Sequence, residues 1–166
     1  MMLCGILLDT NHYRLHISSA TYEASSFLKN NGADNELADS YFKEEYEEFL
    51  MKTKIMGTAE TPFYDVFVCT ADESDIIDAT MLSIVAREAL GVRDISACFA
   101  IGRISENRVQ ISARSNGTIN CQILMEKLKG GGHFSSAATQ LENVSIAEAK
   151  KQLLHVLDLS LIHISE

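Results

Sequence analysis

The sequence predicts an α/β fold built in two parts. Stretches with the composition of strands alternate along the chain with stretches whose apolar residues recur at helical spacing. The first apolar stretch, residues 3–8, is continuous rather than alternating, which is typical of a strand covered on both faces of a parallel sheet. Residues 57–62 contain the only proline, and the pattern begins again after them, so a hinge between the two parts is expected there.

Composition and charge exclude several classes of protein. The chain has 166 residues, of which 46% are apolar and 22% charged, so it can bury a core and is not a disordered protein. No apolar run approaches the ~20 residues of a membrane span. The four cysteines are far apart in apolar stretches, which favours buried thiols of a cytoplasmic protein over disulfides or a zinc site. Residues 1–100 carry 7 basic and 17 acidic side chains, so a long nucleic acid is not an expected partner.

Two helices are predicted after the first strand. Thr21 is expected to cap the first of them, and Asn31 with Gly32 provides its stop signal. The second is predicted to run from about residue 36 to residue 54. Its run of glutamates has helical spacing, which indicates a solvated face rather than a metal site.

The later part alternates strands with helices. The predicted elements are a strand over 63–69, a helix over 73–90, strands over 95–101 and 108–113, a helix over 119–128 and a helix from 145 to about 157. Asp72 is expected as the N-cap of the first helix, and Ser145 with Glu148 forms an S-x-x-E capping box for the last. Residues 159–166, LSLIHISE, resemble a translated sequencing-library transposon end and are expected to be a non-native tail, with a genuine terminal strand as the alternative.

Asp9 directly follows the first predicted strand. A carboxylate at the carboxyl end of a parallel strand points into the ligand crevice of an α/β sheet, where it can hold a divalent metal ion. An aspartate in this place is more often an ordinary turn residue, and from position alone that interpretation is favoured.

The strongest local signal is the run Gly130-Gly131-Gly132-His133. Glycines allow the backbone to approach a ligand closely, and the small residues that follow suit the start of a helix whose free N–H groups favour an anion. His133 can donate a hydrogen bond to a phosphate or a base. A flexible hinge or an ordinary helix C-cap explains such a run equally well.

Arg114 is a second candidate for binding a phosphate. Alternation along the strand puts Gln110, Ser112 and Arg114 on one face and leaves Arg114 at the strand end. Its guanidinium offers a planar, bidentate grip on a phosphate. An isolated arginine in this place is usually a surface charge, but next to three glycines in a nearly neutral part of the chain the phosphate contact is favoured.

The segments GILLDT, TYEASSFLKNNGAD and ISARSNGTINCQILMEKLKGGGHFSSAATQLE resemble the C-terminal part of the DHH phosphodiesterase family, and within it the membrane-anchored cyclic di-AMP phosphodiesterases. The resemblance covers nearly all of residues 3–158. It implies that residues 1–52 are the end of a parallel-sheet DHH catalytic domain and that residues 53–158 are a smaller α/β, DHH-associated substrate-binding domain. Where the family usually carries an arginine, this chain has Ala20.

The resemblance also implies roles for single residues. Asp9 corresponds to the last metal-ligand aspartate of the DHH domain, which binds two manganese ions in this family. The substrate-holding positions are Arg114, Ser115, Gly130, Gly131, Gly132 and His133. The implied reaction is hydrolysis of cyclic di-AMP to linear pApA in the cytoplasmic part of a protein that other segments anchor to a membrane, and a homodimer is left open. The Asp-His-His motif is not in this chain, so the chain alone is expected to be inactive. A RecJ-type or short-oligonucleotide phosphodiesterase and an RNA-binding module of the alanyl-tRNA synthetase type are the alternatives.

Overall fold

The computed structural model describes residues 1–161 of the chain. These residues form two compact units, of which the first is Met1–Glu45 and the second begins at Tyr46. The sequence placed the boundary after residue 52, with a hinge at residues 57–62. The structure differs because helix α4 (Tyr46–Met56) packs on elements of the second unit, where Ile55 is buried in the core and Lys52 pairs with Glu88 at 3.2 Å.

The first unit is helical. It contains α1 (Met2–Asp9), α2 (Ser19–Asn30) and α3 (Asn35–Ser40). Leu3 and Leu7, four positions apart on α1, are buried together with Ala38 of α3. The strand predicted over residues 3–8 is therefore wrong. A short run in which every position is apolar fits a buried strand or a helix, and burial of positions four apart selects the helix.

The long helix predicted from residue 36 to residue 54 is divided into α3 and α4. Asp34 caps α3 by accepting hydrogen bonds from the backbone N–H groups of residues 36 and 37, and α3 ends at Ser40. Helix α4 then starts at Tyr46 with Glu47 and Glu48 in its first turn. Negative charge is favourable at a helix N-terminus, so these glutamates support a new helix start in the middle of the predicted one.

One six-stranded sheet organises the second unit, and its strand order is β1-β2-β3-β4-β6-β5. The strands are β1 (Glu60–Phe63), β2 (Val66–Thr70), β3 (Ala97–Ser105), β4 (Arg108–Ser115), β5 (Gly131–His133) and β6 (Ser136–Glu142). Strands β2 and β3 are parallel, and the other neighbours are antiparallel. The α/β class and the predicted strands of this unit are thus confirmed.

Helices cover both faces of this sheet. Helix α5 (Ala79–Ala89) packs on β3 and β4, while α6 (Cys121–Lys127) packs on β5 and β6, and α7 (Ile146–Leu161) contacts α6, β3 and β4. Phe99, Ile101 and Ile111 are fully buried in the core, and each such side chain contributes roughly 1.5–3 kcal/mol of hydrophobic stabilisation. No helix within residues 1–161 is long and apolar enough to cross a membrane.

The three predicted helix caps have different outcomes. Helix α2 is capped by Ser18, whose hydroxyl oxygen accepts from the N–H of Thr21 at 3.3 Å, so Thr21 lies inside the helix and is not its cap. Helix α5 starts later than predicted, because Asp78 rather than Asp72 accepts the hydrogen bond of its first turn, from the N–H of Thr80 at 2.6 Å. For α7 the predicted contact is confirmed, since the Glu148 N–H donates to the Ser145 hydroxyl oxygen at 3.1 Å. Residues 159–161 of the expected tail continue α7, and residues 162–166 lie outside the described residues.

Candidate functional site

Three residues form a row across neighbouring strands of the sheet. Arg114 of β4 pairs with Ser136 of β6, and Ser136 pairs on its other side with His133 of β5. Residues directly opposite each other in antiparallel strands have their side chains on the same face. Arg114 and His133 therefore share a face, with two strand spacings, roughly 10 Å, between their Cα atoms. We call these three residues the Arg–Ser–His row.

The face that carries this row is covered at one end and accessible at the other. Helix α5 lies over β4, where its Ser83 contacts Ser112, a residue on the same face as Arg114. Beyond β4, His133 and Gly131 are exposed. A Cβ atom added to Gly131 would meet nothing within 4 Å. The row thus runs from the edge of α5 onto a face with room for a ligand.

Gly131 and Gly132 form the edge strand β5 together with His133, and the helix start predicted after the glycines is wrong. Residues 136–142 pair with β4 along their length, and this pairing makes them strand β6. A Cβ on Gly130 would lie 2.3 Å from the Ala138 carbonyl oxygen. Gly132 has φ +146°, and a Cβ there would lie 2.5 Å from the Ala137 Cα atom. These two glycines let β5 lie tightly against β6, whereas Gly131 leaves open space.

The hairpin that joins β5 to β6 is held at its tip. His133 and Ser136 are partners in the ladder, so the connecting loop has only residues 134 and 135 between them. The backbone N–H of Ser115 donates to the Ser135 carbonyl oxygen at 3.0 Å, and the N–H of Cys121 donates to the Phe134 carbonyl oxygen at 2.7 Å. These bonds fix the position of His133 relative to the end of β4.

The guanidinium of Arg114 is half-buried and has no carboxylate partner within residues 1–161. Its Nη1 donates to the Ala113 carbonyl oxygen at 3.0 Å. Burial, together with the positive charge of Arg87, lowers the pKa of Arg114 from its usual value. Arginine stays protonated in proteins, so this is a partly desolvated positive charge that an anion would stabilise.

A polar layer joins α5 to the sheet beside Arg114. The Gln110 side-chain amide donates to the Ala79 carbonyl oxygen at 3.3 Å and to the Ser112 hydroxyl at 2.9 Å. Ser112 in turn contacts the hydroxyl of Ser83 at 3.4 Å, and Gln140 of β6 donates to the Gln110 side-chain oxygen at 3.1 Å. This network fixes the alignment of α5 with β4.

Comparison with known proteins assigns the fold to a family. A family model for the DHHA1 domain matches residues 64–161, which include the Arg–Ser–His row and all of α5. The chain belongs to the DHHA1 domain family. The resemblance to DHH phosphodiesterases that the sequence motifs indicated is thereby confirmed.

Curated relatives match beyond the DHHA1 domain. The chain is 37% identical over 157 residues to the cyclic-di-AMP phosphodiesterase PdeA of Listeria monocytogenes, and 36% identical over 161 residues to the cyclic-di-AMP phosphodiesterase GdpP of Bacillus subtilis. Each match covers 95% of this chain and 24% of the relative, so the chain spans about a quarter of the length of these proteins.

A solved structure shows the same fold. An exopolyphosphatase-related protein from Bacteroides fragilis matches with a TM-score of 0.77 at 16% identity. The match covers 97% of this chain and 49% of the other.

The DHHA1 fold places Ser115 away from the row. Consecutive strand residues point to opposite faces, so Ser115 and Arg114 cannot share one. Ser115 is buried, and its hydroxyl donates to the Ile119 carbonyl oxygen at 2.7 Å and accepts from the Gly117 N–H at 3.3 Å. The position that resemblance assigned to substrate binding is thus engaged in holding the turn after β4. The sequence already indicated that Ser115 and Arg114 lie on opposite faces, because they are consecutive residues of a predicted strand region.

Asp9 does not close a strand, because it is the last residue of α1 and is exposed. A carboxylate is unfavourable at a helix C-terminus, where the backbone carbonyls carry partial negative charge. Within residues 1–161 no group of three or more histidine, cysteine, aspartate or glutamate side chains could hold a metal ion. The residues described therefore do not fit a site for two manganese ions.

Three residues in or near the row were not predicted from the sequence: Ser136, Ser83 and Gln140. Ser136 could have been predicted, because it lies three residues after His133. If the two residues between them are taken as a hairpin loop, His133 and Ser136 become partners in the ladder. Ser83 and Gln140 carried no local signal, because their contacts come from elements about 30 residues away in sequence, Ser112 and Gln110.

Proposed function

We propose that this chain is the substrate-holding part of a phosphodiesterase that hydrolyses cyclic di-AMP to linear pApA. The observation that carries the proposal is the Arg–Ser–His row, in which a half-buried arginine shares an accessible face with His133 and has no carboxylate partner among residues 1–161. The two curated relatives named above support the choice of cyclic di-AMP.

The residues of the row have separate tasks in this proposal. Arg114 binds a phosphate group through guanidinium N–H groups other than the one bonded to Ala113. His133 donates a hydrogen bond to a phosphate or a base from the other end of the row, more strongly when protonated. Gly131, with no side chain, lets the nucleotide approach the sheet between them.

A small ligand fits the charge of the chain better than a long polyanion. Long nucleic acids are held by several basic side chains that each neutralise a phosphate. The formal net charge of this chain is −9. A dinucleotide needs few phosphate contacts, and Arg114 and His133 of the Arg–Ser–His row provide them in this proposal.

Hydrolysis is proposed for the whole enzyme and not for the chain as given. The metal dependence implied by the family resemblance requires ligands beyond Asp9, since the described residues hold no such group. A cytoplasmic location of this part, membrane anchoring through other segments and formation of a homodimer stay predictions.

Calorimetric titration of the full chain tests the proposal. Cyclic di-AMP is expected to bind, and Arg114→Ala is expected to lose about 2–3 kcal/mol of binding free energy, as for a lost charge-assisted pair. Arg108→Ala is the matched control, because Arg108 lies at the other end of β4 and pairs with Glu142 at 3.2 Å. Equal binding by Arg114→Ala and the unmodified chain would contradict the proposal.

The same titration separates the alternatives. A preference for the linear dinucleotide pGpG would favour a short-oligonucleotide phosphodiesterase. A preference for single-stranded RNA of about a dozen nucleotides, with a strong salt dependence, would favour an RNA-binding module.

A further inference from the structure

Helix α5 runs alongside β4 with matched spacing. The Ala79 carbonyl oxygen contacts the side chain of Gln110, and one helical turn later Ser83 contacts Ser112. Four helical residues advance about 6 Å and two strand residues advance about 6.8 Å, so helix and strand keep step over this length. Each move of four residues along α5 thus corresponds to two residues along β4.

The next step of this pattern brings two arginines together. Four residues after Ser83 is Arg87, in the last turn of α5, and two residues after Ser112 is Arg114. Burial and the positive charge of Arg87 lower the pKa of Arg114, as expected when the two guanidinium groups lie near each other. Arg87 is exposed, so its guanidinium is accessible to an anion.

Neither arginine is neutralised within residues 1–161. No carboxylate oxygen lies within 4.0 Å of either guanidinium. Glu88, the sequence neighbour of Arg87, is instead engaged with Lys52 at 3.2 Å. Two neighbouring positive charges repel each other. An anion bound between them attracts both guanidinium groups and offsets this repulsion.

We propose that Arg87 is a second phosphate-binding arginine, which holds a phosphate group of the nucleotide together with Arg114. This inference rests on the proposed function and extends it to a residue outside the glycine run and the Arg–Ser–His row. The site becomes a pair of guanidinium groups, one on the helix and one on the strand, that contact the phosphate from two sides. Such a pair suits the planar, bidentate geometry with which guanidinium groups bind phosphate oxygens.

Three variants of the full chain test the role of Arg87 by calorimetric titration with cyclic di-AMP. Arg87→Ala is expected to weaken binding about tenfold, less than Arg114→Ala because Arg87 is the more exposed of the two. Arg87→Lys keeps the charge and is expected to recover part of the loss. Arg108→Ala removes the same charge about 20 Å along β4 and is expected to bind like the unmodified chain.

A second measurement separates a ligand contact from a structural role. In thermal denaturation, inorganic phosphate is expected to raise the midpoint of the unmodified chain more than that of Arg87→Ala. Without phosphate the two midpoints are expected to differ little, because Arg87→Ala removes the repulsion from Arg114 together with the favourable interaction of a basic side chain with the C-terminus of α5. A difference between the two midpoints that is the same with and without phosphate would overturn the proposal in favour of a structural role.

The outcomes distinguish this inference from the proposed function. Unchanged binding by Arg87→Ala with loss in Arg114→Ala would overturn the role of Arg87 and leave the proposed function standing. Unchanged binding by both variants, or no binding of cyclic di-AMP by the unmodified chain, would overturn both.

Discussion

The hydroxyl oxygens of Ser83 and Ser112 lie 3.4 Å apart and join α5 to β4 at the centre of a polar layer. Ser112 is fully buried and also accepts a hydrogen bond from the Gln110 side chain. The alignment of α5 with β4 depends on this contact, and so does the placement of Arg87 beside Arg114.

Ser112→Ala is expected to lower the free energy of unfolding by about 1–3 kcal/mol, because the Gln110 amide loses a buried acceptor. Urea denaturation measures the loss. Because the variant also loses the contact between Ser83 and Ser112, α5 is expected to move relative to β4, and binding of cyclic di-AMP is expected to weaken as well. Unchanged stability would show that the polar layer does not hold α5 in place.

Substitution by alanine is expected to have different effects at the two glycines of β5. Gly132→Ala combines a strained φ with a 2.5 Å contact to Ala137 and is expected to cost about 2–4 kcal/mol of folding stability. Gly131→Ala enters open space and is expected to leave the urea midpoint nearly unchanged. It is nevertheless expected to weaken binding of cyclic di-AMP, since its methyl group faces the proposed ligand. Full binding by Gly131→Ala would place the ligand elsewhere.

Ser115→Ala is expected to affect folding and not binding. Its hydroxyl bonds the Ile119 carbonyl oxygen on the face opposite Arg114, so removal is expected to cost about 1 kcal/mol of stability. The affinity for cyclic di-AMP, measured on the folded variant, is expected to stay at the level of the unmodified chain. A large loss of affinity at unchanged stability would restore the substrate-holding role that resemblance implied.

The chain with added manganese is expected to release no linear pApA from cyclic di-AMP. Phosphodiester hydrolysis by two metal ions needs several carboxylate and imidazole ligands that converge, and the described residues offer no such group. Chromatography of the nucleotides over time checks this, with full-length PdeA as the positive control. Turnover comparable to that control would contradict the expectation.

The sequence predicted the second unit far better than the first. Alternation along β4 correctly put Gln110, Ser112 and Arg114 on one face, because polar and apolar residues alternate along this strand with a period of two that is visible locally. Residues 3–8 have no polar position to reveal a period, so strand and helix could not be told apart. Their helical form follows from contacts with Ala38, about 30 residues away.

Non-local pairing also explains the error at the glycine run. The small residues after His133 satisfy a helix start as well as a strand, and only the ladder between β6 and β4 selects the strand. Arg87 escaped notice for a similar reason. On α5 it is an exposed charge in the last turn, where a positive side chain is favourable in any case, and only its alignment with β4 gives it a partner.

Amide chemical shifts of the ¹⁵N-labelled chain, recorded during a titration with cyclic di-AMP, locate the bound nucleotide residue by residue. We predict that the largest shifts occur at the end of β4 around Arg114, along residues 131–136 and at Arg87. A rival location is the cavity of about 450 Å³ lined by Lys127, Lys129 and Gln152. Shifts confined to that cavity, with none at Arg114 and His133, would show that the Arg–Ser–His row does not bind the nucleotide.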